Sequence, residues 1–119
     1  MKPQQWHFYI VNLEPRVGTK PGKQRACLAV QPSEFALAGL DSTVILPLTT
    51  NVAQSDAFPL RVFVPKDTCG LAQASDLLVD QILSWDNSLF VKDLGVAPDG
   101  IIEEVKHAIR EFLDLTTCH

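Results

Sequence analysis

Two polar clusters stand at the ends of two apolar runs. Lys23, Gln24 and Arg25 lead into ACLAVQ (residues 26–31), and Thr49 and Thr50 close the run VILPL (residues 44–48). Each run is short enough to be a buried strand. If the two strands pair antiparallel, the start of the first lies beside the end of the second. Arg25 and Thr49 then meet at one rim of a sheet. A guanidinium fork beside a hydroxyl is suited to gripping a phosphate: the fork matches two oxygens and the hydroxyl adds a neutral donor.

The charge pattern points the same way. The net charge of -4 argues against wholesale electrostatic binding of nucleic acid, but the charge is unevenly spread. Arg16, Lys20, Lys23 and Arg25 fall within ten residues with no acid among them, whereas Glu103, Glu104, Glu111 and Asp114 gather near the C-terminus. A local basic patch on an acidic protein can hold a few phosphates. A solvated basic loop is the simpler alternative on charge alone.

The elements that must position these residues fit one domain. A chain of 119 residues can bury a single real core. Its hydrophobic content of 46% is that of a globular protein rather than a disordered one. No apolar run approaches the roughly 20 residues needed to span a membrane. The opening run of eight residues, 6–13, is too short and too aromatic for a signal sequence, so a cytoplasmic protein is expected. Cys27, Cys69 and Cys118 are odd in number and far apart. They form no disulfide framework and no metal pair, and Cys27 reads as a small core residue.

Residues 6–13 (WHFYIVNL) read as a first strand. Residues 14–24 (EPRVGTKPGKQ) have the composition of a loop, long for a hairpin. Residues 26–31 form the second strand. Residues 33–40 suggest one helical turn, capped by Ser33 and closed by Gly39. Residues 43–49 form a third strand whose Pro47 implies an edge, bend or bulge, and 59–64 (PLRVFV) form a fourth. Residues 71–85 are ambiguous: Leu71, Ala74, Leu78, Ile82 and Trp85 fit a helical face, while 77–82 fit a strand. Residues 89–94 form a short strand. After Pro98 and Asp99, Ile101, Val105, Ala108, Ile109, Phe112 and Leu113 define an amphipathic helix. Strands followed by one terminal helix imply a small barrel or curled sheet with a covering helix.

The order strand, NLEPRVGTKPGKQR, apolar strand, VILPLTT, SDLLVDQILSWD and terminal helix resembles the MazF/PemK growth-inhibiting toxins of type II toxin–antitoxin systems. The resemblance covers nearly the whole chain. Each motif is short, and their order and spacing carry the match. It implies a mainly β, SH3-like barrel with a C-terminal helix, and it turns the reading of 77–84 from helix to strand. It also implies a metal-independent endoribonuclease of single-stranded RNA with no cofactor. The ribose 2′-hydroxyl would attack the adjacent phosphate, leaving a cyclic phosphate and a free 5′-hydroxyl. The expected partners are single-stranded RNA, a MazE-like antitoxin with an acidic tail, and a second copy of the chain.

The resemblance also assigns residues. Arg25 matches the strand-leading arginine and would supply charge and a proton. Thr49 matches the threonine at a strand end and would hold a phosphate oxygen. Asp80 and Gln81 match an Asp-Gln pair on the RNA-contacting wall. Thr19, Lys20, Lys23 and Thr50 would contact RNA around them. The chain departs from the family where Gly-Ser-Glu-Gln has become Gly18-Thr19-Lys20-Pro21, where Ala26 replaces a proline, and at Leu83, Trp85 and Asp86. No general base follows from the positions that match.

Other residues fit ordinary roles better. His7 reads as packed, His107 as solvated and Trp85 as core, and Cys118 with His119 is too small a metal set. Two alternatives compete with an active ribonuclease: a catalytically silent binder, and a gyrase poison of the CcdB type on the same barrel. The ending LTTCH lacks the terminal residues on which the CcdB type depends. An SH3-like interaction module with no nucleic-acid role is a third.

Overall fold

The computed structural model describes residues 1–13 and 23–115. Most of the loop read at 14–24, with Thr19 and Lys20, lies outside the described residues, as do Cys118 and His119. The described strands are β1 (His7–Asn12), β2 (Gln24–Ala29), β3 (Ser42–Thr49), β4 (Arg61–Val64), β5 (Ser75–Leu78), β6 (Leu83–Asp86) and β7 (Phe90–Val96). Helix α1 (Ser33–Leu37) is a short turn, and α2 (Asp99–Leu113) is the terminal helix. The strand order is β4-β5-β3-β2-β1-β7, with β6 also paired to β3. Every pairing is antiparallel. The result is a mainly β, coiled, barrel-like sheet with a C-terminal helix.

β3 is the hub. On one side it pairs β2, with Cys27 opposite Pro47 and Ala29 opposite Ile45. On its other side the first half pairs β6, from Ser42 opposite Asp86 to Ile45 opposite Leu83. The second half pairs β5, with Leu48 opposite Leu77 and Thr49 opposite Asp76. Pro47 lies where β3 changes partner. A residue without an N–H fits where a ladder is interrupted, so the bend anticipated at Pro47 is a switch between two sheets rather than an edge.

The apolar runs of β1, β2 and β3 are nearly continuous because both faces of this sheet are covered. Phe8, Leu28, Leu46 and Leu48 point into one cluster with Val62, Leu77, Val79 and the buried α2 residues Ile101, Val105 and Ala108. Tyr9, Val11, Cys27, Ala29 and Ile45 point the other way, into a second cluster closed by Phe90 with Leu83 and Trp85. His7 is packed as read: its Nδ1 lies 3.0 Å from an Asp93 oxygen, and its ring stacks on Tyr9. His107 is exposed, with its ring stacked on Phe58.

Two local readings need correction. The segment 77–84 is neither a helix nor one strand. β5 and β6 are separated by a 3-10 turn at Val79–Gln81, so Asp80 and Gln81 sit on a turn. The apolar residues that imitate a helical period serve two short strands pairing different halves of β3. Ser33 does not cap α1, whose N-cap is Pro32 with no side-chain cap bond. The Ser33 hydroxyl instead accepts from Gln5 N–H at 2.9 Å, tying the N-terminal segment to α1.

A buried polar contact fixes the chain between α1 and β7. Thr43 Oγ1 donates to Asn87 Oδ1 at 2.6 Å, and Asn87 Nδ2 donates to the Leu40 carbonyl at 2.9 Å. Removing the hydroxyl strands a buried acceptor. Thr43→Val is expected to destabilise the fold by about 1–3 kcal/mol. Urea unfolding at fixed protein concentration checks this, and an unchanged midpoint would show the bond to be dispensable.

Candidate functional site

Continuing the β2–β3 register by two residues beyond the pair Cys27 and Pro47 brings Arg25 alongside Thr49. Both line a cavity of about 340 Å³ at this end of the sheet, together with Lys23, Thr50 and Gln73. Arg25 also lines a second cavity of about 680 Å³, walled by Pro47, Arg61, Asp80 and Gln81. The arginine is therefore the residue shared by two adjoining depressions. Lys23, Thr50, Asp80 and Gln81 are exposed, and Arg25 and Thr49 are half-buried.

Of the eight residues singled out in the sequence, the structure groups Lys23, Arg25, Thr49 and Thr50 around the first cavity. It groups Asp80 and Gln81 with Arg25 around the second. Thr19 and Lys20 are not among the described residues.

The polar bonds set what each group can offer. Arg25 forms no ion pair with a described residue. Its Nη1 donates a long 3.5 Å bond to the Leu48 carbonyl, and the described residues leave the rest of the guanidinium fork to an anion. Thr49 Oγ1 accepts from Asn51 N–H at 3.2 Å. A hydroxyl used as an acceptor still has its own proton to give. Beneath Arg25, Cys27 is fully buried, and that burial pushes its thiol up to about 12, against the opposing pull of the Arg25 charge.

Three residues of the site were not visible in the sequence. Arg61 reaches across from β4, with Nη1 donating to the Asn51 carbonyl at 2.7 Å and to Asp76 Oδ2 at 3.2 Å. Asp76 is 3% exposed and also accepts from Ala53 N–H at 2.8 Å. Gln73 lines the first cavity. The alternation of PLRVFV marks Arg61 as outward-facing, but nothing in the pattern shows that it meets an aspartate fifteen residues later.

A coiled antiparallel sheet covered by one C-terminal helix is the architecture of MazF toxins. The chain is similar to MazF of Deinococcus radiodurans, at 23% identity over 96% of this chain and 98% of that one, with a TM-score of 0.74. It is likewise similar to Mycobacterium tuberculosis toxin MazF-mt6, at 20% identity over 93% and 99% of the two chains, with a TM-score of 0.74. A third similar structure is an endoribonuclease in complex with its cognate antitoxin from a mycobacterial species, at 16% identity over 98% and 99%, with a TM-score of 0.73. No curated protein matches significantly. The protein belongs to the family of PemK-like, MazF-like toxins of type II toxin–antitoxin systems, which it matches over residues 4–113.

The burial of Cys27 generates a chemical prediction. A thiol alkylating reagent at pH 8 is expected to modify the half-buried Cys69 well before Cys27, because only the exposed thiolate reacts. Peptide mapping by mass spectrometry reads the order. Early modification of Cys27 would mean that the floor beneath Arg25 opens.

Proposed function

We propose that the protein is a toxin acting as a metal-independent endoribonuclease on single-stranded RNA. The observation that carries this reading is an arginine without a carboxylate partner among the described residues, set between two adjoining cavities beside a threonine hydroxyl. The RNA backbone runs past Arg25. Lys23 and Thr50 hold phosphate and sugar on one side, and Asp80 and Gln81 face the chain on the other. Thr19 and Lys20 extend the contact in the sequence before Lys23.

In the reaction, the 2′-hydroxyl oxygen attacks the adjacent phosphorus and loses its proton. The bond from phosphorus to the 5′-oxygen breaks, and that oxygen takes up a proton. The products are a 2′,3′-cyclic phosphate and a free 5′-hydroxyl. Arg25 would face the negative charge that grows on the phosphoryl oxygens and would give a proton to the leaving oxygen. Thr49 donates its hydroxyl proton to a phosphoryl oxygen. Proton removal needs an acceptor, and among the described residues Asp80 is the one carboxylate lining either cavity, with no ion pair of its own.

The partners follow from the same surface. An acidic, extended antitoxin segment of the MazE type would occupy the cationic end of the groove and exclude RNA. A second copy of the chain would cover apolar surface left at the end of the terminal helix, where Phe112 and Leu113, and Leu115 just beyond them, are exposed. Sedimentation at micromolar concentration is expected to give about twice the 13.1 kDa of one chain. A monomer throughout that range would remove the dimer from the reading.

The catalytic assignment is tested on a mixed-sequence single-stranded RNA with end-group analysis. Removing one donor from a developing anion typically costs about 2.7–4 kcal/mol. Arg25→Ala is therefore expected to slow cleavage on the order of a hundred- to a thousandfold while the fold persists. Thr49→Ala should lose less, because a neutral donor is weaker, and chelator should change nothing. Cleavage that survives Arg25→Ala would place the activity elsewhere. A wild type that binds RNA through Arg25 without cutting it would favour the silent binder.

A further inference from the structure

The hydroxyl of Thr49 is held by a brace that starts on a different strand. Thr49 lies opposite Asp76 in the β3–β5 pairing. The Asp76 carboxylate, almost wholly buried, has one oxygen that receives both Ala53 N–H at 2.8 Å and Arg61 Nη1 at 3.2 Å. The same Arg61 nitrogen donates to the carbonyl of Asn51 at 2.7 Å. Asn51 in turn gives its N–H to Thr49 Oγ1 at 3.2 Å. The turn that follows β3 is thus pinned at Asn51 and Ala53, and the pin fixes the atom that bonds the Thr49 hydroxyl.

We infer that Arg61, seated on Asp76, is a positioning residue that fixes the rotamer of Thr49 and directs its hydroxyl proton into the cavity beside Arg25. The Asn51 N–H is the backbone donor two residues on that a threonine at a strand end can take, and it is available only while the following turn keeps this shape; otherwise the hydroxyl has other rotamers and partners open to it. Supplying Asn51 N–H as a donor occupies one lone pair of Oγ1 and leaves the proton as the group it presents. The donor stays in place because Arg61 and Asp76 are mutually held: the buried carboxylate keeps its charge compensated, and the guanidinium is fixed by two acceptors. Arg61 also lines the second cavity. Its two bonds go to the brace rather than outward, so its effect reaches the phosphate through Thr49.

The role in cleavage rests on the ribonuclease reading, and the geometry of the brace does not. The test therefore has two arms. In the first, three-bond couplings about χ1 of Thr49 are measured by NMR in the wild type and in Arg61→Gln. One dominant rotamer is expected in the wild type and rotamer averaging in the variant, with the resonances of Val62 and Leu77 showing that the sheet is intact. Identical couplings in the two proteins would overturn the inference whether or not the protein cuts RNA. Asp76→Asn, which keeps the shape and removes the charge, should also loosen the rotamer if Arg61→Gln proves too unstable to study.

In the second arm, cleavage is followed in Arg61→Gln, Thr49→Ala and the double variant. A misplacement of about 1 Å can cost on the order of a hundredfold in rate, and a hydroxyl that still samples its productive rotamer should lose only part of that. Arg61→Gln is expected to lower kcat about tenfold with a smaller change in KM. In the Thr49→Ala background the same change should have almost no further effect, because it acts through the hydroxyl already removed. Full additivity would make Arg61 a direct contact and overturn its action through Thr49. A wild type that cuts no RNA would defeat the ribonuclease reading and leave the couplings to decide the brace.

Discussion

Everything at the site depends on β3 changing partners at Pro47. One strand of eight residues serves β6 with its first half and β5 with its second, while β2 runs along its other side. Without the switch, the sheet has no reason to fold over its own core, and β5 would not lie next to Thr49. With it, three things arrive at one end of β3: Arg25 from the start of β2, the Thr49 hydroxyl, and the Asp76 carboxylate from β5. The apolar register sets this. A slip of one residue would turn Leu28 and Leu46 out of one cluster and Cys27 and Ile45 out of the other, so the core enforces the alignment that places the polar groups.

The overall charge of -4 conceals the electrostatics of that end. Lys23, Arg25 and Arg61 gather around the two cavities. The acids of α2 serve a different purpose, on the outer face of a helix whose inner face is Ile101, Val105 and Ala108. Separation of this kind lets an acidic protein keep a cationic strip without binding polyanions everywhere. A short polyanion, whether an RNA backbone or an acidic peptide, gains most where the cations are concentrated.

Much of this was legible in the residues. The runs around ACLAV and VILPL declare buried strands, and antiparallel pairing alone brings Arg25 towards Thr49. The periodicity from Ile101 onward declares α2. The segment 71–85 was not legible by pattern, because two short strands and a tight turn can carry apolar residues at helical spacing by coincidence. Asp80 and Gln81 were legible as a pair but not as a turn. Ser33 looked like a helix cap because its type suits one, yet its hydroxyl accepts a bond from Gln5, twenty-eight residues away. Such contacts depend on how distant segments meet, and no local rule reports them. The bond from Arg61 to Asp76 was hidden for the same reason.

The two arginines of the groove show how one residue type is given opposite tasks. Arg61 meets a carboxylate that is almost fully buried, so each neutralises the other and both are spent on structure. Arg25 has no such partner among the described residues. It lies above a buried thiol and bonds a carbonyl at the limit of hydrogen-bond distance. A partly buried cation without a counter-charge is less stable than a paired one, and an aspartate in its neighbourhood would relieve it. That aspartate would also occupy the fork that an anion needs. Under the proposed function, a phosphate would supply the charge that Arg25 lacks among the described residues, and most fully as that phosphate gains charge along the reaction path. A fork open to a phosphate is equally open to a carboxylate carried by another protein, so under the proposed function one feature would serve both RNA and an acidic antitoxin segment.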